Sequence, residues 1–147
     1  MKASIRPRLY ESGKSGFFSG LSVFYQLSVI MIPVYIVTAI LKITPAFDLI
    51  SDFFAPYMKY FGLPGETAVA LVTGTFVNLY AAAAILAGLE LSSRELTIIA
   101  LILSISHSQI METAIVGKMK AMPVLVTSAR FIVAIGGGIL LNYILPV

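Results

Sequence analysis

The run from Phe17 to Leu41 carries no charged side chain and is longer than the roughly 20 apolar residues a bilayer-spanning helix needs. A soluble fold would have to bury that run, and the rest of the chain cannot cover it. Only 12% of the residues are charged and 59% are hydrophobic, with a mean hydropathy of +0.96, whereas soluble domains carry about 25% charged residues. The chain therefore reads as an all-α, polytopic membrane protein, and its 147 residues as a single membrane domain.

Lys2, Arg6, Arg8 and Lys14 precede the run. The run exceeds the roughly 7–15 residues of a secretory signal core, so it is expected to be a retained helix behind a basic cytoplasmic segment over residues 1–16. There is no cysteine and one histidine, which excludes thiolate chemistry and a multi-histidine metal site within one chain. No metal or other cofactor is expected. The net charge of +3 comes from basic residues near segment ends, a pattern that suits membrane orientation better than nucleic-acid binding.

Three further apolar stretches follow. Leu63–Leu89 opens with Leu63-Pro64-Gly65-Glu66, a proline and an acid in helix-start positions. Thr73-Gly74-Thr75-Phe76-Val77-Asn78 interrupts its middle. Ser92-Ser93-Arg94-Glu95 has capping-box form, placing a helix start near Ser93. That third stretch contains a polar island, Ser104-Ile105-Ser106-His107-Ser108-Gln109. Ser106-x-x-Gln109 is a second capping-box match, so one half-helix is expected to end near Ser104 and another to start near His107. The alternative is a continuous helix whose serines bond back one turn. Pro123–Leu145 is the fourth stretch, with Gly136-Gly137-Gly138 as a smooth patch for helix contact. Between the first two stretches, Ala46–Phe61 mixes aromatic residues with Asp48, Asp52 and Lys59, as an interfacial amphipathic helix does. Pro56 is expected to break it, and Pro33 to kink the first helix.

Basic residues weigh the topologies. If all four stretches cross, they divide five against four. If Leu63–Leu89 is a re-entrant hairpin, Lys118 and Lys120 join the N-terminal group, giving six against three. The positive-inside rule prefers the hairpin with a cytoplasmic N-terminus. Glu66-Thr67-Ala68 recurs as Glu112-Thr113-Ala114, a faint echo of the repeats that bracket transporter sites.

Leu41-Lys42-Ile43-Thr44, the aromatic segment after it, and Phe61-Gly62-Leu63-Pro64-Gly65-Glu66 together resemble the nucleoside-recognition, or gate, domain proteins. Gln109-Ile110-Met111-Glu112-Thr113 is similar to the Ser-x-Glu-Thr-Thr region of spore maturation protein B in that family, and Arg130 follows at a similar spacing. Here Ala114 stands where those proteins repeat threonine. The resemblance implies helical hairpins, broken helices and a solute or ion pathway, as in the gate segments of concentrative nucleoside and ferrous-iron transporters.

Ionisable groups inside a bilayer cost about 2.5–3.5 kcal/mol each at the helix centre, so each needs a reason. Glu112 and Arg130 are expected at matching depth, either as a structural ion pair or as a pair that contacts solute. His107 is either a hydrogen-bonded core residue or a proton carrier. Asn78 and Gln109 either read a base or ribose or satisfy broken-helix backbone. Glu66 is either a first-turn acid or a family-motif ligand, and Thr113 belongs to the same motif set. Gln26 is expected to be helix-packing glue. No nucleophile–base pair or phosphate loop is visible, so an enzyme is not expected. The expected function is binding or transport of a small polar solute, nucleoside-like by the resemblance, in the cell's inner membrane, by a homo-oligomer or with a paired gate-domain subunit. The rival is a non-transporting membrane partner that stabilises or regulates another protein.

Overall fold

The computed structural model describes residues 5–145, with side chains described from residue 11. Lys2 and the side chains of Arg6 and Arg8 lie outside the described residues, so the expected basic N-terminal segment is seen only in part. Every regular element among the described residues is helical: α1 (Ile5–Lys42), α2 (Pro45–Met58), α3 (Thr67–Phe76), α4 (Leu79–Ala87), α5 (Ser93–Ser106), α6 (Gln109–Lys118) and α7 (Pro123–Ile144). Three stretches are long and apolar enough to cross a membrane: Glu11–Lys42, Ser93–Lys118 and Pro123–Ile144. The chain is an all-α membrane protein.

The second apolar stretch does not span as one helix. Its halves, α3 and α4, have 10 and 9 residues, roughly 15 Å each at 1.5 Å per residue, half of a ~30 Å hydrocarbon core. Ala70 and Ile85 share one apolar cluster although a straight helix would hold them roughly 22 Å apart. The halves therefore fold back on each other as a hairpin. The start of α3 lies three residues beyond the expected one. Pro64–Glu66 form a tight turn instead, closed by Thr67 N–H to Pro64 O (3.1 Å) and Ala68 N–H to Gly65 O (3.1 Å). Thr67 Oγ1 adds a 2.6 Å bond to Pro64 O.

The third stretch keeps its direction through its break. Leu101 meets Gly137, Ile105 meets Arg130, and Thr113 meets Thr127, so α5 and then α6 run antiparallel along α7. Two small residues of α7, Ala134 and Gly138, are buried within the chain. Ala134 is buried in the main core, and Gly138 lies so close to Ile102 that an added Cβ would sit 2.7 Å from its Cδ1. Gly136, by contrast, is exposed with nothing near it.

Two clusters hold these parts together. Met58, Leu63, Ala68, Ala82, Ile98, Ile99, Ile102, Leu103 and Ala134 join α2, the hairpin, α5 and α7. Phe47, Ala70, Ile85 and Leu89 join α2 and the hairpin, with Val34 and Leu41 of α1 packed on them. In α2, Phe47 and Met58 are buried while Asp48 and Asp52 are exposed, giving the amphipathic pattern. Pro56 does not break it. The helix continues through Tyr57 and Met58 and then tightens into a 3-10 turn, Lys59–Phe61. Proline's fixed φ is compatible with helix, and the lost bond falls in the last turn, where it costs least. At the start of α5 the Ser92–Glu95 capping box forms in full. Arg94 then donates to Asn142 O (2.9 Å) and to the Asn142 side chain, while Asn142 Nδ2 donates to Tyr60 O (3.1 Å). That clamp ties the beginning of α5 to the end of α7.

Candidate functional site where two helix breaks meet

Two interruptions lie side by side. In the hairpin, α3 ends at Phe76, Asn78 takes an extended conformation, and its Oδ1 accepts from Ala81 N–H (2.8 Å) to cap α4. In the other, α5 ends at Ser106, His107 is extended, and Ser108 adopts the left-handed region at φ 51° before α6 starts. A left-handed non-glycine residue costs roughly 1–2 kcal/mol, and Ser108 gains a partner there. Its N–H donates to Gly74 O (3.0 Å), a carbonyl next to the first break. The Thr75 and Ser106 hydroxyls lie 3.4 Å apart in the same buried contact. Gly74 makes that approach possible: a Cβ there would meet Leu103 Cδ2 at 2.6 Å and Ala82 Cβ at 2.9 Å.

The break forms where the polar island predicts it, two residues later than expected, and the second capping box does not form. Ser106 still belongs to α5, so its hydroxyl bonds back to Ile102 O (2.8 Å), and Ser108 caps α6 without a side-chain bond. The left-handed turn replaces the cap.

Four of the candidate residues surround this turn. Gln109 is 3% exposed, and neither its amide oxygen nor its amide nitrogen has a partner. A buried amide without hydrogen bonds costs on the order of 1–3 kcal/mol per group, so Gln109 marks a place prepared for polar company. His107 Nδ1 lies 3.0 Å from Leu103 O, and its Nε2 lies 3.7 Å from Glu112 Oε1. Glu112 pairs directly with Arg130. Arg130 Nε also donates to Ile105 O (2.6 Å), satisfying a carbonyl that the break leaves without a helical partner. One turn along, Thr113 Oγ1 meets Thr127 Oγ1 at 2.6 Å, joining α6 to α7.

The remaining candidates fall outside this group. Asn78 spends its oxygen on capping α4. Glu66 is the N-cap of α3 and lies roughly 12 Å of helical rise before Gly74. The echoed triplets are not equivalent in place: Glu66 precedes its helix, whereas Glu112 is in the fourth position of α6. A cavity of about 190 Å³ opens beside the crossing, lined by Thr75, Ser106, Met58, Phe61, Phe131 and Ile135 among others. Neither Asn78, His107 nor Gln109 lines it. Sequence reasoning missed Ser108, whose left-handed backbone has no residue-type signal, and the pairing of Thr75 with Ser106. Each of those last two was visible only as part of its own break.

Known proteins bear on this arrangement. A family model described as gate, nucleoside recognition, matches residues 24–123, which include both breaks and the charged group up to Glu112. The membrane protein YvoD of Bacillus subtilis (strain 168) is 32% identical over 130 residues, 88% of this chain and 42% of that protein. The chain thus spans less than half the length of that relative. No solved structure matches the chain. The matched region covers most of the chain and contains the crossed breaks, and the chain belongs to the nucleoside-recognition gate family.

Proposed function

We propose that the chain binds a small polar solute, nucleoside-like in its hydrogen-bonding edge, and passes it across a cytoplasmic membrane at the crossing of the two helix breaks. One observation carries this reading: Gln109 is buried with both amide atoms unpartnered, beside a break linked to a second break. Broken helices at membrane depth are tolerated where they line protein or water, and transporters hold solutes at them. An amide offers a donor and an acceptor side by side, the pattern that pairs bidentately with a nucleobase edge. The family is associated with transport, which supports a carrier over an enzyme. Folding Leu63–Leu89 as a hairpin supports an N-terminus inside, with Lys118 and Lys120 on the same side, six basic residues against three.

The second reading, a membrane partner that steadies another protein, is favoured by the direct Glu112–Arg130 pair, which locks α6 to α7 as a structural bridge does. Thermal-shift titration of the purified chain against nucleosides separates the two. Stabilisation that is lost in Gln109→Ala, with the unliganded melting unchanged or raised, supports the carrier. A Gln109→Ala/Glu112→Ala variant that is stabilised like the parent would remove the site from consideration, and no stabilisation by any nucleoside would favour the partner reading.

A further inference from the structure

The cavity beside the crossed breaks has two kinds of lining. Its volume is about 190 Å³, and two hydroxyl residues face it from the crossing, Thr75 on α3 and Ser106 on α5, 6% and 2% exposed. Ser106 gives its proton to Ile102 O at 2.8 Å, so its oxygen is left to accept. Thr75 Oγ1 lies 3.4 Å from that oxygen, longer than the roughly 2.5–3.0 Å of an O–H···O bond. It makes no other side-chain bond among the described residues. A buried hydroxyl held this loosely has a donor and an acceptor to offer.

The other lining residues are apolar. Phe61, Phe76 and Phe131 form aromatic walls, the last two with ring centroids 6.1 Å apart and tilted at 37°. No lining side chain is charged, so an ion would enter without compensation. Water suits the space no better, since it needs about two to four polar partners; a cavity of about 150 Å³ lined by Leu, Ile and Phe stays dry and takes benzene. An acyl chain would match the walls but leave the Thr75 hydroxyl without a good partner. A flat ring with one hydroxyl or N–H on its edge matches the volume, offers its faces and edges to the phenylalanines, and brings a donor to the Thr75–Ser106 pair. The rim is open, because Val72, Phe76 and Ile135 are half-exposed, so such a molecule can enter sideways from the hydrocarbon.

We infer that this cavity binds a flat, uncharged single ring with one hydrogen-bond donor, either a free ring or the base of a nucleoside, with the donor on the Thr75–Ser106 pair and the ring against Phe76 and Phe131. Gln109 does not line the space, so the site goes beyond the Gln109 reading and its test does not depend on that reading. Fluorophenol is the probe, followed by fluorine NMR with the purified chain in detergent. Its binding to the chain should saturate, whereas uptake by empty micelles should not. Thr75→Val should weaken it about fivefold, the worth of one hydrogen bond. Fluorotoluene, which lacks the donor, should bind more weakly and should not respond to that substitution. Ile135→Trp fills the mouth from a half-exposed position and should abolish binding of both probes at unchanged melting temperature; Val72→Trp does the same from α3 if the first variant fails to fold. A uridine-induced melting shift that disappears in the Trp variants assigns the ring to a nucleoside base, and one that is absent or survives in them assigns it to a free ring. Uptake that never saturates, or saturable binding that neither Trp variant reduces, would overturn the inference. So would fluorotoluene binding as tightly as fluorophenol with Thr75→Val silent, the behaviour of an acyl-chain groove.

Discussion

The two breaks use the same residue vocabulary and produce opposite geometries. At Val77–Asn78 the chain reverses, and α4 packs back on α3. At His107–Ser108 it keeps its direction, and α5–α6 continue along one neighbour. The difference lies in what each break can lean on. The first carries its own cap, the Asn78 amide, and small residues on both sides, Gly74 and Ala81 to Ala84, that let two helices approach closely. The second has no cap of its own. It is held by α7 through Arg130 and by the hairpin through Gly74 O. A self-sufficient break can turn the chain around, whereas a dependent break stays in register with what supports it.

That contrast can be broken most strongly at the point of contact. Gly74→Leu places a side chain where a Cβ alone would be 2.6 Å from Leu103. The expected loss is about 3 kcal/mol, at the upper end of typical overpacking costs, read as a fall in melting temperature in detergent. An unchanged melting temperature would mean that the breaks do not touch. Arg130→Met tests the dependence of the second break. It strands Glu112 and frees Ile105 O, and because both charges are partly exposed the expected loss is about 2 kcal/mol, below the 3–5 kcal/mol of a fully buried pair. Adding Glu112→Gln should recover part of it. If the double variant melts no higher than the single one, the carbonyl contact rather than the charge pair holds the break.

The self-capped break should be less sensitive. Asn78→Ala removes one cap and should cost about 1 kcal/mol, with the neutral cap of Asn78→Ser recovering most of it in the same melting assay. The smallest effect is expected at Ser108. Its left-handed backbone favours glycine, so Ser108→Gly should be neutral or raise stability by less than about 1 kcal/mol. A large loss there would mean that the hydroxyl, and not the backbone N–H, is what the site needs.

Much of this was legible in the residues, because local chemistry wrote it. The Ser92–Glu95 box, the Asn78 interruption and the apolar lengths depend on neighbours in sequence, and the structure has them. The polar island announced a break, but its position and its means depended on a tertiary partner. Ser106 remained helical because its hydroxyl could bond back one turn, and Ser108 turned because Gly74 O was there to receive its N–H. Arg94 carried no signal beyond its place in the Ser92–Glu95 run until Asn142 came to meet it from 48 residues away. Pro56 looked like a breaker because its effect was judged without its position in the last turn of its helix.

The bond from Ser108 N–H to Gly74 O also has a consequence for the order in which the protein is made. Until residue 108 has been synthesised, the hairpin has neither this partner nor the α5 surface that Gly74, Ala68 and Ala82 pack against. Its helices are individually too short to cross, and its tip carries carbonyls that lipid cannot satisfy. The hairpin is therefore expected to wait near the membrane surface during synthesis and to enter only when α5 arrives beside it. A cysteine at Asn78 in a chain stopped before Ser93 should react with a water-soluble thiol reagent, and in the full chain it should be protected. Equal protection in both would mean that the hairpin inserts on its own.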